Sequence, residues 1–82
     1  MILTFGNRIY GEQEVARGTR KELNAALRNY LTEHNYEKPY YYRYWLSGDT
    51  SENRFLTIDF GSWSKFFYMY LEEGDSEGEL IL

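Results

Sequence analysis

Apolar and polar positions along this chain fall into one short helical pattern and several strand-like runs, and the runs between Tyr40 and Leu71 dominate. Successive side chains on a strand point to opposite faces of a sheet, so each run can be sorted by parity. In the first run Tyr40, Tyr42, Tyr44 and Leu46 share one face, against Tyr41, Arg43, Trp45 and Ser47. The second sets Leu56, Ile58 and Phe60 against Phe55, Thr57 and Asp59, and the third sets Phe67, Met69 and Leu71 against Phe66, Tyr68 and Tyr70. The spacing predicts strands over 40–47, 54–60 and 65–72. A strand with a solvated back alternates apolar with charged residues. Here the back also carries rings, so both faces of the sheet are expected to be adhesive.

Upstream, Thr19-Arg20-Lys21-Glu22 fits the S/T-x-x-E capping box, and Leu23, Ala26, Leu27, Tyr30 and Leu31 follow at helical spacing. A helix over 20–34 is predicted, ended by Asn35 and the nearby Pro39. Residues 2–5 are β-prone. A type II′ turn at Gly6-Asn7 would fold 8–10 back as a second strand, or a bulge at Gly6 would make 2–10 one strand. The polar stretch 11–18 reads as a connection. A short helix over 65–73, capped by Ser62 or Ser64, competes with the third strand, but that run has no polar stripe. The last four residues read as an edge strand or a loose end. These elements make a single α+β domain spanning 1–82: one α-helix packed on a mostly antiparallel sheet of three to five strands, order β(β)αβββ, with 74–82 an acidic, flexible segment. One helix covers one face, so the other aromatic face would lack a lid unless the N-terminal strands or the tail reach it.

Composition narrows the class. Cysteine is absent from the 82 residues, so the fold must rest on its core, and 20% aromatic content can supply one. No apolar run spans a bilayer, and the opening MILTFGNRIYG does not read as a signal peptide, so the expectation is a cytoplasmic protein with no membrane contact. The net charge of −4 is uneven: residues 1–46 carry seven Lys/Arg and five Asp/Glu, and residues 47–82 carry two and eight. An acidic second half disfavours phosphate backbones and favours basic partners, or simply solubilises the chain.

Chemistry is sparse, and no enzyme, cofactor or metal is expected. His34, the single histidine, falls at the helix end, where it suits the final carbonyls better than base catalysis. Asp49-x-Ser51-x-Asn53 begins like an EF-hand, but the sixth and twelfth positions are Arg54 and Phe60 instead of Gly and Glu. Asp59-Phe60-Gly61 matches the magnesium-binding tripeptide of kinases by chance, because the chain is far too short for a kinase domain. In size and acidity the chain resembles the small inhibitors that phages and mobile elements make against host enzymes. That resemblance lies in bulk properties and implies a non-enzymatic protein-binding module occupying a basic or nucleic-acid-binding surface of a larger protein. The aromatic anchors would be Tyr41, Arg43, Trp45, Phe55, Tyr68 and Tyr70; Asp49, Glu52, Asp59, Glu72, Glu73 and the rest of 72–79 would supply charge. Single-stranded nucleic-acid binding by ring stacking is the first alternative, and a homodimer burying face on face is the second.

Overall fold

The structure is a computed structural model that describes all residues except 37–41, 49–53, 63 and 82, and the backbone alone at 81. Its elements run β1 (Ile2–Asn7), β2 (Gly11–Arg17), α1 (Arg20–Glu33), β3 (Arg43–Ser47), β4 (Phe55–Asp59), β5 (Phe66–Tyr70) and α2 (Gly78–Ile81). The strands form one sheet in the order β2-β1-β5-β4-β3, with every neighbouring pair antiparallel.

Helix α1 begins where its cap predicts. Thr19 Oγ1 accepts the Glu22 N–H at 3.2 Å, and the Glu22 carboxylate accepts the Thr19 N–H at 3.1 Å, satisfying two orphan donors at once. It ends in a paired turn around Asn35, whose φ of 58° lies in the left-handed region. The Asn35 N–H donates to Thr32 O and the Tyr36 N–H to Leu31 O, the two bonds that close a helix when the next residue turns left-handed. Leu23, Leu27 and Leu31 point inward and are buried. They meet Leu3, Phe5, Leu56, Ile58, Phe60, Phe67 and Met69, so the strand parity identifies the core face on β4 and β5.

The predicted class, helix and three aromatic strands are found, with the strands shorter than expected; the element order, ββαβββα, does not match β(β)αβββ exactly, because a helical turn follows the last strand. The second strand is Gly11–Arg17, which reads as a connection, and residues 8–10 are the turn before it. No II′ turn forms at Gly6-Asn7 and no bulge at Gly6, because β1 runs straight through both. The irregularity lies opposite, where Leu3 pairs with Ala16 but Thr4 with Glu14, leaving Val15 extra. Gly6 serves close approach: a Cβ there would meet Gly11 O at 2.4 Å. Strand β2 escapes the pattern because it is an edge, exposed over Gly11–Glu14, with only Val15 and Ala16 reaching the core.

The C-terminal residues also depart from expectation. Gly78–Ile81 form one helical turn instead of a strand, and Leu80 sits in the core at 1% exposure. Arg20 Nη1 holds this turn by donating to the carbonyls of Glu79 (3.2 Å) and Leu80 (2.9 Å). Two residues before Arg20, Gly18 O accepts from the Met1 ammonium, which also pairs with Asp75, both at 2.9 Å, tying the start of β1 to the chain after β5.

Leu80→Ala tests whether the terminal turn belongs to the core. It should cost about 2–5 kcal/mol in urea denaturation, as for other buried leucines. A cost near zero would mean that the turn merely trails.

Candidate protein-binding surface

The second sheet face is not bare. The turn between β1 and β2 bends over it, and Arg8 acts as a lid, with its guanidinium 4.1 Å from the centre of the Phe55 ring. The Arg8 N–H donates to the Tyr68 hydroxyl at 3.3 Å, and its Nη1 donates to the Tyr70 hydroxyl at 2.8 Å. Tyr70 in turn donates to the Glu12 carboxylate, which also accepts the Thr4 hydroxyl at 2.7 Å. Burial foremost, with the Glu12 bond assisting, pushes the Tyr70 phenol up to about 12. Tyr68 is therefore 5% exposed, and the expectation of an unshielded face fails over β5.

Further out, Arg43 on β3 pairs with Asp59 at 2.8 Å. Burial alone would raise the Asp59 carboxyl, but Arg43 and the Gly61 N–H outweigh it and hold the group below its ordinary value. Asp59 is thus a buried tie between strands and presents no surface charge. Its bond to the Gly61 N–H accounts for the Asp-Phe-Gly sequence as a local turn.

What remains open is β3 and the residue before it. Tyr42 is 39%, Tyr44 53% and Trp45 41% exposed. Tyr42 and Tyr44 stack on the helix side with ring centres 6.3 Å apart, while Trp45 meets Phe66 edge-on from the other side. Strand β3 ends the sheet, and among the described residues no strand pairs with its outer edge. Inboard, a groove of about 210 Å³ separates β3 from α1, lined by Arg20, Asn24, Leu27, Arg28, Tyr42 and Tyr44.

The expected site residues are therefore dispersed. Arg43 and Trp45 lie on the open edge; Phe55, Tyr68 and Tyr70 lie beneath or beside Arg8; Tyr41, Asp49 and Glu52 fall outside the described residues. Of the acids, Glu72 pairs with Arg17 at 2.9 Å and Glu77 with Arg54 at 2.8 Å, while Asp75 holds the Met1 ammonium. Glu73 is exposed. Much of the C-terminal acid is thus neutralised within the fold. Sequence reasoning missed Ile9 and Tyr10, which stand 83% and 87% exposed at the β1–β2 turn. The available signal was two large apolar residues in a turn bracketed by glycines, where polar residues belong.

Among the described residues no group of three or more acidic or histidine side chains is placed to hold a metal ion, and no helix is long and apolar enough to cross a membrane. Comparison with protein-family models, curated proteins and solved structures finds no match.

The lid predicts a base-labile fold. A phenol whose folded pKa is raised to about 12 holds its proton more tightly folded than unfolded. Its contribution is complete below the unfolded value of about 10 and is lost as pH rises from there through about 12. The Met1 ammonium adds the same sign: burial opposes its charge, but Asp75 and Glu72 win and raise it above its ordinary 8.0, so its contribution also fades with rising pH. Stability measured across alkaline pH should fall steadily, and Tyr70→Phe should flatten the part above about pH 10. Arg8→Ala should cost about 1–3 kcal/mol and increase dye binding to the uncovered rings.

Proposed function

We propose that this chain is a non-enzymatic protein-binding module that docks an extended segment of a larger protein along the outer edge of β3. One observation carries the reading: β3 is a sheet edge that no described strand pairs, with exposed rings on both of its faces. Added strands gain main-chain hydrogen bonds from such an edge and specificity from alternating side chains. Tyr44 and Trp45 would flank the incoming backbone from opposite sides, and Tyr and Trp are the residues that most often anchor interfaces. Edges that must stay single usually carry charges, bulges or proline. The other edge, β2, follows that rule with Glu12, Glu14 and Arg17. Strand β3 has one charged residue, Arg43, whose guanidinium is held by Asp59 on the neighbouring strand.

The geometry gives less support to an acid-driven contact with a basic surface. Glu72, Asp75 and Glu77 are engaged internally, and Asp59 is buried. A broad stacking platform for single-stranded nucleic acid has equally little support, because Tyr68 is buried and Phe55 lies under Arg8.

Affinity capture from a host lysate tests the proposal with three baits: the wild type, Tyr44→Ala with Trp45→Ala, and Ile9→Ser with Tyr10→Ser. Loss of two anchoring rings should weaken a captured partner by roughly 30-fold or more, while the turn variant keeps it. Capture lost in the turn variant but kept in the β3 variant would overturn the assignment. So would salt-sensitive binding of short oligonucleotides that disappears with Trp45→Ala, or light scattering that shows a stable dimer broken by the β3 variant.

A further inference from the structure

We infer that the groove between α1 and β3 is a carboxylate-binding subsite, taking an acidic side chain or the terminal carboxylate of a partner polypeptide. The inference rests on the protein-binding reading for the identity of its partner. Its chemistry comes from the groove alone.

Arg20, Asn24 and Arg28 recur at intervals of four and so share one stripe of α1, facing the Tyr42 and Tyr44 rings across the groove. Among the described residues no carboxylate lines this space, although the chain carries thirteen acidic residues and a net charge of −4. Arg20 is half-buried, and its Nη1 bonds are to the neutral carbonyls of Glu79 and Leu80. Its Nε donates to Asn24 Oδ1 at 3.1 Å, which uses the acceptor end of that amide and leaves the Asn24 NH₂ as a donor. Burial lowers the Arg20 guanidinium from its ordinary value but does not discharge it.

Two turns along from Arg20, Arg28 is exposed and its guanidinium has no ion-pair or hydrogen-bond partner among the described residues. Beside it, burial raises the Tyr42 phenol against the opposing pull of Arg28, so the hydroxyl stays protonated and able to donate. The groove therefore presents two guanidinium groups, an amide NH₂ and phenol hydroxyls over the apolar floor of Leu27, with no anion supplied by the described residues. A partly desolvated cation without a counter-charge favours an anionic guest.

Size and charge choose among anions. About 210 Å³ is below the roughly 300–1,000 Å³ that small-molecule sites occupy, so an end group fits and a whole ligand does not. Arg20 is already committed through Nε and Nη1, which leaves one free guanidinium and part of another. That complement suits a planar monoanion better than a phosphate dianion.

The test is an NMR titration of the ¹⁵N-labelled intact protein at constant ionic strength. The probes are acetyl-glutamate amide for a side-chain carboxylate, acetyl-alanine for a terminal one, acetyl-glutamine amide as the neutral control, and inorganic phosphate. At least one carboxylate should saturate the shifts of the Asn24 side-chain NH₂ and the Arg28 Nε–H, with a dissociation constant of order 1–10 mM. The tighter carboxylate identifies the source. Arg28→Gln, at an exposed position whose spectrum also reports folding, should weaken binding about tenfold. The inference is overturned if no carboxylate moves these signals, if the neutral amide moves them equally, if phosphate binds more tightly, or if Arg28→Gln titrates like the wild type. An inert groove in a protein whose β3 variant still loses its partner removes this inference alone. A responsive groove with capture indifferent to β3 removes the docking edge alone.

Discussion

Strand β5 has to be dry on both sides. Phe67 and Met69 on its helix face are fully buried, and Tyr68 on the opposite face is 5% exposed. A strand of that kind can only sit inside a sheet, and it sits between β1 and β4 in the order β2-β1-β5-β4-β3. It is also the last strand in the chain. The sheet is therefore a hairpin, β1–β2, and a three-stranded meander, β3–β4–β5, held together through β5 pairing with β1. Main-chain pairs such as Thr4 with Tyr68 join residues that are distant in sequence, so the core closes only when the last third of the chain arrives.

Two lids follow from that requirement. Leucines of α1 cover one side, and Arg8 covers the other by a mixed means: cation over ring, main-chain donor to one phenol and guanidinium to the next. A polar lid suits this face because its rings carry hydroxyls that need partners once they leave water. Among the described residues no buried side-chain nitrogen or oxygen lacks a hydrogen bond. Neither lid extends over β3, which lies beyond β4 at the edge. On the sheet itself the rings that stay wet are thus set by strand order: Tyr44 and Trp45 lie on β3, beyond the cover that β5 receives.

Some of this was legible before any coordinates. Thr19 and Glu22 are three residues apart and specify their own cap, so the start of α1 follows from local chemistry alone. Phe67 and Met69 take the same face because the pleat has a period of two. Other features depend on distant residues. Strand β2 reads as polar because an edge strand need not alternate, and its strand state comes from pairing with β1. Leu80 lies in a single turn, too short for any period to show. Arg8 meets Tyr68 across 60 residues, a separation that no local pattern encodes. The acids at 72–77 illustrate the same limit: composition counts them as a free charge, whereas the fold sets Arg17, Arg54 and the Met1 ammonium against them.

The two edges of the sheet bear on the proposed role through their contrast. A protein under no demand at its edges would gain by protecting both, since an exposed edge invites pairing with any extended chain. The β2 edge has that protection in alternating glutamates. At β3 the one charged side chain, Arg43, is bonded across the sheet face to Asp59 while staying largely exposed, and it shares the surface there with Tyr44 and Trp45. Turning Arg43 outward would leave the Asp59 carboxylate buried without its cation, a cost that keeps the arginine where it is. The same pair, an exposed arginine on a buried carboxylate, therefore joins β3 to β4 across the sheet face and leaves the outer main chain of β3 to a partner.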